Sequence, residues 1–461
     1  MIALSTRLAL SRIKTNSSGL DLLAITAFAV TTMLALTVAG GTSMFVDRFD
    51  SPPQALFDMT SDNRYSYWSA EEFAQTYVFL AATACAILVV PIFGLGGGAA
   101  RLGASGRARR LASLRLIGMT GGEVVLMSVI ESVVLTLAGA ALGAVLYLSS
   151  LPLWQFVSFH NEPIATSEMI APWWVIAAVM VFIVLLSALS TAIGLQQVVI
   201  SPLGVARRET PKALQFWRVI AFIGAVAVFI VASRTFNLRE SDALLIAAIS
   251  GMLLLILFTV NLIGPWIIQL VARPFTRTSS PSTLLATRRL VAQPREAWRN
   301  ISALAFIGFI AAFVSGMPKV PDDPIYNLQI TDVGTGATIT LLIGLIVAAT
   351  STLINQASFT VDRADQTVAL TRMGTPRRVL NRARHRQVLL PLIVTLGIVI
   401  PLGFLTLYAM VANTPDFSME MSGIPTLVGA IAAGFVLCLA AASASQPIET
   451  KILTSDYRRN D

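Results

Sequence analysis

Few side chains in this 461-residue sequence could make or break bonds. The candidates are two histidines, His160 and His385, two cysteines, Cys85 and Cys438, and one carboxylate, Glu131, placed deep in an apolar run. A metal or nucleophilic site needs a histidine with a partner carboxylate or thiolate at ligand spacing, and His160, in an outer loop, and His385, among arginines on the opposite side of the membrane, offer no plausible set of that kind. The cysteines sit in apolar runs without Cys-x-x-Cys spacing, so they read as small packing residues. Glu131 lies about nine positions beyond Gly122 in a long apolar stretch. A carboxylate there is costly unless it faces protein, water or a basic partner, or stays protonated. A helix-packing hydrogen bond and a proton relay both fit, although no second intramembrane acid is evident to receive a proton. The run Gly94, Gly96, Gly97, Gly98 looks superficially like a phosphate loop, but no Gly-Lys-Ser/Thr follows and no strand precedes it. It reads as a flexible joint or a close-packing helix end. The expectation is a chain that is not an enzyme and binds no cofactor or metal directly.

The elements that position these residues are set by composition. Hydrophobic residues make up 55% and charged residues 13%, with mean hydropathy +0.74, more apolar surface than a soluble fold of this length buries. The chain reads as an all-α polytopic membrane protein. A span needs ~20 apolar residues. Ten stretches qualify: 20–44, 75–98, 122–149, 172–199, 217–233, 243–271, 300–317, 337–358, 388–412 and 424–444. With the N-terminus cytoplasmic, only Arg48, Arg64, Arg234, Arg239 and Lys319 fall outside, leaving 28 of 33 basic residues on the inner side. The same arrangement puts 15 of 25 acids outside. Both termini are then cytoplasmic, in a cell membrane, and the first apolar run is a retained span because it exceeds a secretory core of ~7–15 residues. The basic inner face suits membrane lipids or a cytoplasmic partner better than nucleic acid.

The segment 101–143 opens with five arginines and no acid before passing through Gly118 and Gly121-Gly122 into apolar sequence. That is the pattern of an interfacial helix turning into a span. It returns at 359–403, with Leu370 opposite Leu114 and Gly374 opposite Gly118 at one offset of 256. Pro447 likewise stands opposite Pro202, and Leu285 to Arg289 echoes Leu8 to Arg12. The expectation is an internal duplication in parallel orientation: a first half at 1–213, linking spans at 214–280, and a degenerate second half at 281–461. The longest outer loop has 30 residues, so no large outer domain is expected. It ends in Tyr65, Tyr67 and Trp68, either headgroup-level anchors or a place where substrate is admitted.

The run Leu114-Arg115-Leu116-Ile117-Gly118, then Val129 to Leu135 around Glu131, then Ser201-Pro202-Leu203 with Ala206-Arg207, resembles the FtsX-like (MacB-type) permeases of ABC transporters, in their duplicated ten-span form. The second half is a weaker match, with Gln387 where Glu131 stands. The resemblance implies a permease without its own ATPase site, and the sequence has no Walker A motif. It further implies two ATPase subunits per chain, engaged through Leu114, Arg115, Ile117 and Gly118 and through Leu370, Arg372 and Gly374. ATP would then act only through those partners, driving export or outer-leaflet extraction of a lipid, lipopeptide, peptide or drug. An ion-driven secondary transporter and a non-transporting signalling protein are the competing classes.

Overall fold

The computed structural model describes residues 19–54, 56–57, 69–105, 119–200, 216–233, 243–317, 324–362, 364–412, 423–444, 446 and 450. These residues are almost entirely helical. In chain order the helices are α1 (Gly19–Asp50), α2 (Ala70–Ser105), α3 (Gly121–Ser150), α4 (Trp173–Ile200), α5 (Trp217–Ser233), α6 (Ala243–Ala272), α7 (Pro281–Ala292), α8 (Pro294–Ser315), α9 (Pro324–Asp362), α10 (Ala364–Arg372), α11 (Arg377–Val411) and α12 (Ile424–Ser443). A two-stranded hairpin, β1 (Ser158–Phe159) and β2 (Glu162–Pro163), lies between α3 and α4.

Among the described residues, seven helices are long and apolar enough to cross a membrane, and three shorter apolar helices lie at 217–233, 301–315 and 427–443. Together they coincide in position with the ten apolar stretches. Several exceed a bilayer: the 39 residues of α9 span about 58 Å at 1.5 Å each, against a hydrocarbon core of about 30 Å. Large apolar side chains such as Val181, Leu185 and Leu189 on α4 and Val228 and Val231 on α5 are exposed, as a lipid-facing surface requires. Trp173 and Trp174 open α4 exposed, as interfacial anchors do.

Local sequence explains where the helices start. Thr120 caps α3: its hydroxyl accepts from the Glu123 amide while the Glu123 carboxylate accepts from the Thr120 amide, a capping box written in the sequence as Thr-Gly-Gly-Glu. Ser69 and Glu72 exchange the same pair of bonds at the start of α2. At the other end of such a helix, α10 stops in a Schellman turn. Gly374, at φ +85°, donates to Thr371 O, and Thr375 donates to Leu370 O.

Two expectations need correction. The glycines at 94–98 neither loosen nor end α2, which continues as helix to Ser105. A Cβ at Gly96 would meet Leu186 and Thr31, one at Gly97 Ser190, and one at Gly98 Ile354 and Asn355, all at ordinary van der Waals distance, and one at Gly94 would meet nothing. The helix that carries the eighth apolar stretch starts at Pro324 rather than 337, with the proline in the first turn where its missing N–H costs no hydrogen bond. That extension carries Asp332 into the buried interior of a helix, so the chain does have a second buried acid besides Glu131.

The packing has a regular plan. Helix α1 packs on α3 and α2, and α8 packs in the same way on α11 and α9; α4 lies against α3 and α2, and α12 against α11 and α9. Helices α2 and α9 meet each other along a central seam. The largest core runs through α6, α8, α9 and α11, with a second cluster at the hairpin end built on Phe73, Tyr77, Tyr147 and Phe159.

Candidate functional site

Three polar constellations stand out in an otherwise apolar bundle. The first is at the hairpin end of the seam. Both central residues of the hairpin turn, His160 and Asn161, are left-handed, at φ 56° and 59°, as a two-residue hairpin turn requires and as asparagine and histidine tolerate. The turn is tucked inward, so His160 is 1% exposed. Its backbone N–H donates to Asp332 Oδ2 over 2.8 Å, and Tyr77 Oη donates to the same oxygen over 2.8 Å. The His160 ring stacks at a tilt on Tyr77, 4.1 Å between centroids. Arg48, at the end of α1, donates to Phe159 O over 2.9 Å and pairs with Glu168 at 2.7 Å. Burial, with the Arg48 charge nearby, lowers the His160 pKa to about 4, so its ring is neutral at physiological pH. Neither ring nitrogen of His160 meets a hydrogen-bonding group.

Sequence reading found no carboxylate for His160 because Asp332 is 172 residues away and fell in an expected loop. The inward tuck of a His-Asn turn left no sequence signal either. Arg48 could have been noticed as a cation directly after an apolar run, but arginines there usually snorkel to solvent.

The second constellation surrounds Glu131. The residue is buried in α3, as are its neighbours Ser128 and Ser132. Ser132 shares hydrogen bonds with Ser187 at 2.8 Å and Thr191 at 2.9 Å, and Thr136 donates to Ser187 at 2.7 Å. These hydroxyls pin α3 to α4 where leucines alone would let the helices slide, since lipid offers hydroxyls no partner. Glu131 is buried on α3 directly beside this hydroxyl network.

The third lies at the opposite end of the bundle, around α10. Leu370 is half-buried, while Arg372, Met373 and Gly374 are exposed, Met373 to 72%. Just beyond, the basic start of α11 is bolted to its neighbours. Arg386 donates from one nitrogen to Ser280 (3.0 Å), Ser282 (2.7 Å) and Thr283 at the start of α7. His385 bonds Ser443 of α12 at 3.0 Å. The Asn355 amide of α9 is held by Arg299 of α8 at 3.2 Å and by Ser351 at 3.1 Å.

The remaining sequence-derived residues, Tyr65, Tyr67 and Trp68 together with Leu114, Arg115, Ile117 and Gly118, lie outside the described residues. Cys85 and Cys438 are free thiols, and among the described residues no cluster of histidine, cysteine and carboxylate fits a metal.

A helical bundle with a lipid-facing surface, its polar groups gathered at the two ends and along one helix pair, defines a multi-pass membrane protein. Residues 98–202 match the family model FtsX-like permease C-terminal. That segment, which runs from the end of α2 through the hairpin to the end of α4, is similar to FtsX-like permeases, and with the apolar helices it supports a multi-pass protein of the bacterial inner membrane. No curated protein matches the chain significantly.

Proposed function

We propose that the chain is the permease subunit of an ABC transporter whose ATPases are separate polypeptides, and that it exports or extracts an amphipathic molecule from the outer leaflet. The observation that carries this reading is the FtsX-like match at 98–202, which begins just ahead of the basic segment containing Leu114 and Gly118. Its counterpart in the second half is α10, a short helix that presents Met373 and ends on a left-handed glycine. An exposed apolar residue just beyond a short helix, directly ahead of the arginine-rich start of α11, is what a cleft on a partner ATPase would receive. The hairpin end is then extracytoplasmic, and the α10 end, with the starts of α7 and α11, is cytoplasmic, which agrees with the partition of basic residues.

The duplicated, ten-span organisation belongs to the same proposal. It is supported by the four helix pairings that recur in the two halves, α1 with α3 and α2 matching α8 with α11 and α9, and α4 with α3 and α2 matching α12 with α11 and α9. The α2–α9 seam is then the junction of the halves. Candidate cargoes are a lipid, lipopeptide, peptide or hydrophobic drug, admitted beside Tyr65, Tyr67 and Trp68, whose loop is acidic and would favour cationic amphiphiles.

The test is ATP hydrolysis by the complex purified from its own membrane. An aspartate in a coupling helix would bury an unpaired charge at a cost of roughly several kcal/mol. Leu114→Asp is expected to abolish coupled hydrolysis or detach one ATPase, and Leu370→Asp to weaken it less. Full coupling in both variants would defeat the proposal.

A further inference from the structure

The hairpin-end cluster has no part in holding an ATPase, yet it joins the two halves at one end of the seam. Three elements meet there: Tyr77 comes from α2, Asp332 from α9, and His160 from the loop between α3 and α4. Arg48 of α1 and Glu168, ahead of α4, brace the hairpin from behind. We propose that Tyr77, Asp332 and the His160 turn form a latch that holds the extracytoplasmic end of the seam shut, and that acid on that side releases it. The inference deepens the proposed function and rests on the seam being the part that moves.

The geometry of His160 makes the latch responsive to acid. A buried polar group without a partner costs free energy that opening would recover by hydration. Here both ring nitrogens are sealed from solvent without a partner, while the backbone N–H of the same residue closes the latch on Asp332. The charged and titratable groups that face the ring are Arg48 from α1, Tyr77 from α2 and Asp332 from α9. The Asp332 oxygen at the latch already accepts two hydrogen bonds, and Arg48 repels a second positive charge. In the closed arrangement neither ring nitrogen has a partner, so a proton on the ring is better accommodated when the turn swings out and the ring is hydrated.

The sign follows from linkage. In the closed state His160 holds a pKa of about 4, against an ordinary value of 6.5 when hydrated. The His160 contribution to closure is fully present above about pH 6.5 and is lost as pH falls from there towards 4, because the open state takes up the proton first. Between pH 7.5 and 5.0 those two values give an open-to-closed ratio that rises about thirtyfold.

Ala74, buried beside this cluster, provides the reporter. In full-length chain lacking Cys85 and Cys438 and held in nanodiscs, Ala74→Cys is labelled with a water-soluble thiol reagent. The rate is divided at each pH by that of the exposed Ser167→Cys, which cancels thiol ionisation. The ratio is expected to rise about thirtyfold from pH 7.5 to 5.0. His160→Asn, which keeps a residue at ease in the left-handed turn, should abolish that rise. Tyr77→Phe should raise the ratio at pH 7.5 already. A ratio unchanged by pH in the otherwise native sequence, or a rise that persists in His160→Asn, overturns the latch. The labelling uses the chain alone, so it can fail while an ATPase complex forms, or succeed while none does.

Discussion

Gly139 and Gly143 set how closely α1 and α3 approach. A Cβ on Gly143 would collide with Ala29 O and stand 2.7 Å from Thr32 Cβ, and one on Gly139 would stand 2.6 Å from Phe28 Cβ and 2.7 Å from Ile25 O. Backbone cannot yield to such contacts as a flexible side chain can, so the helices must part. Gly143→Ala is therefore expected to destabilise the protein by ~1–3 kcal/mol in a detergent unfolding titration. Gly224→Ala, where a Cβ would meet nothing, should be neutral or slightly stabilising. The glycine pair, four apart in an apolar run, and Thr120 with Glu123, three apart before an apolar stretch, are local sequence signals that sequence reading passed over. His160 gives no such signal, since its meaning depends on a carboxylate brought by another helix and on which way a two-residue turn folds.

Among the elements, the apolar runs located the helices because hydrocarbon burial dictates both their composition and their length. What composition left open was where polar sequence continues a helix. Residues 324–336 and 377–387 look like loop and basic linker, yet both are helical, and they carry Asp332 and Arg386. The first has a proline start and is tied to its neighbours through Asp332, and the second is tied through side chains reaching neighbouring elements. Arg386 makes the start of α11 and the start of α7 one unit, so a push on α10 reaches α8 through α7 as well as through α11. Arg386→Ala is expected to cost about 1–2 kcal/mol in thermal stability, since hydrogen bonds from a charged group are lost at a partly buried site. It should also lower transport per ATP hydrolysed while leaving ATPase binding intact. An unchanged transport ratio would remove α7 from the path of force.

For the whole molecule, charge and seam describe one machine. Its basic end carries α10 and the exposed Met373, its hairpin end carries the buried Tyr77–Asp332–His160 cluster, and helices α2 and α9 run between them. Lengths of about 54 Å for α2 and 58 Å for α9 exceed the hydrocarbon core, so both helices extend beyond it. Under the proposed function these are the two helices that reach from the end where ATPases would act to the hairpin end, α2 with Pro91 inside it. One chain would hold both coupling elements, the segment containing Leu114 and the segment containing Leu370, so it should recruit two ATPases by itself. Native mass measurement of the complex purified from its own membrane tests this most directly. The account predicts one copy of this chain with two ATPase subunits; two copies sharing two ATPases, or a chain that retains no ATPase at all, would contradict it.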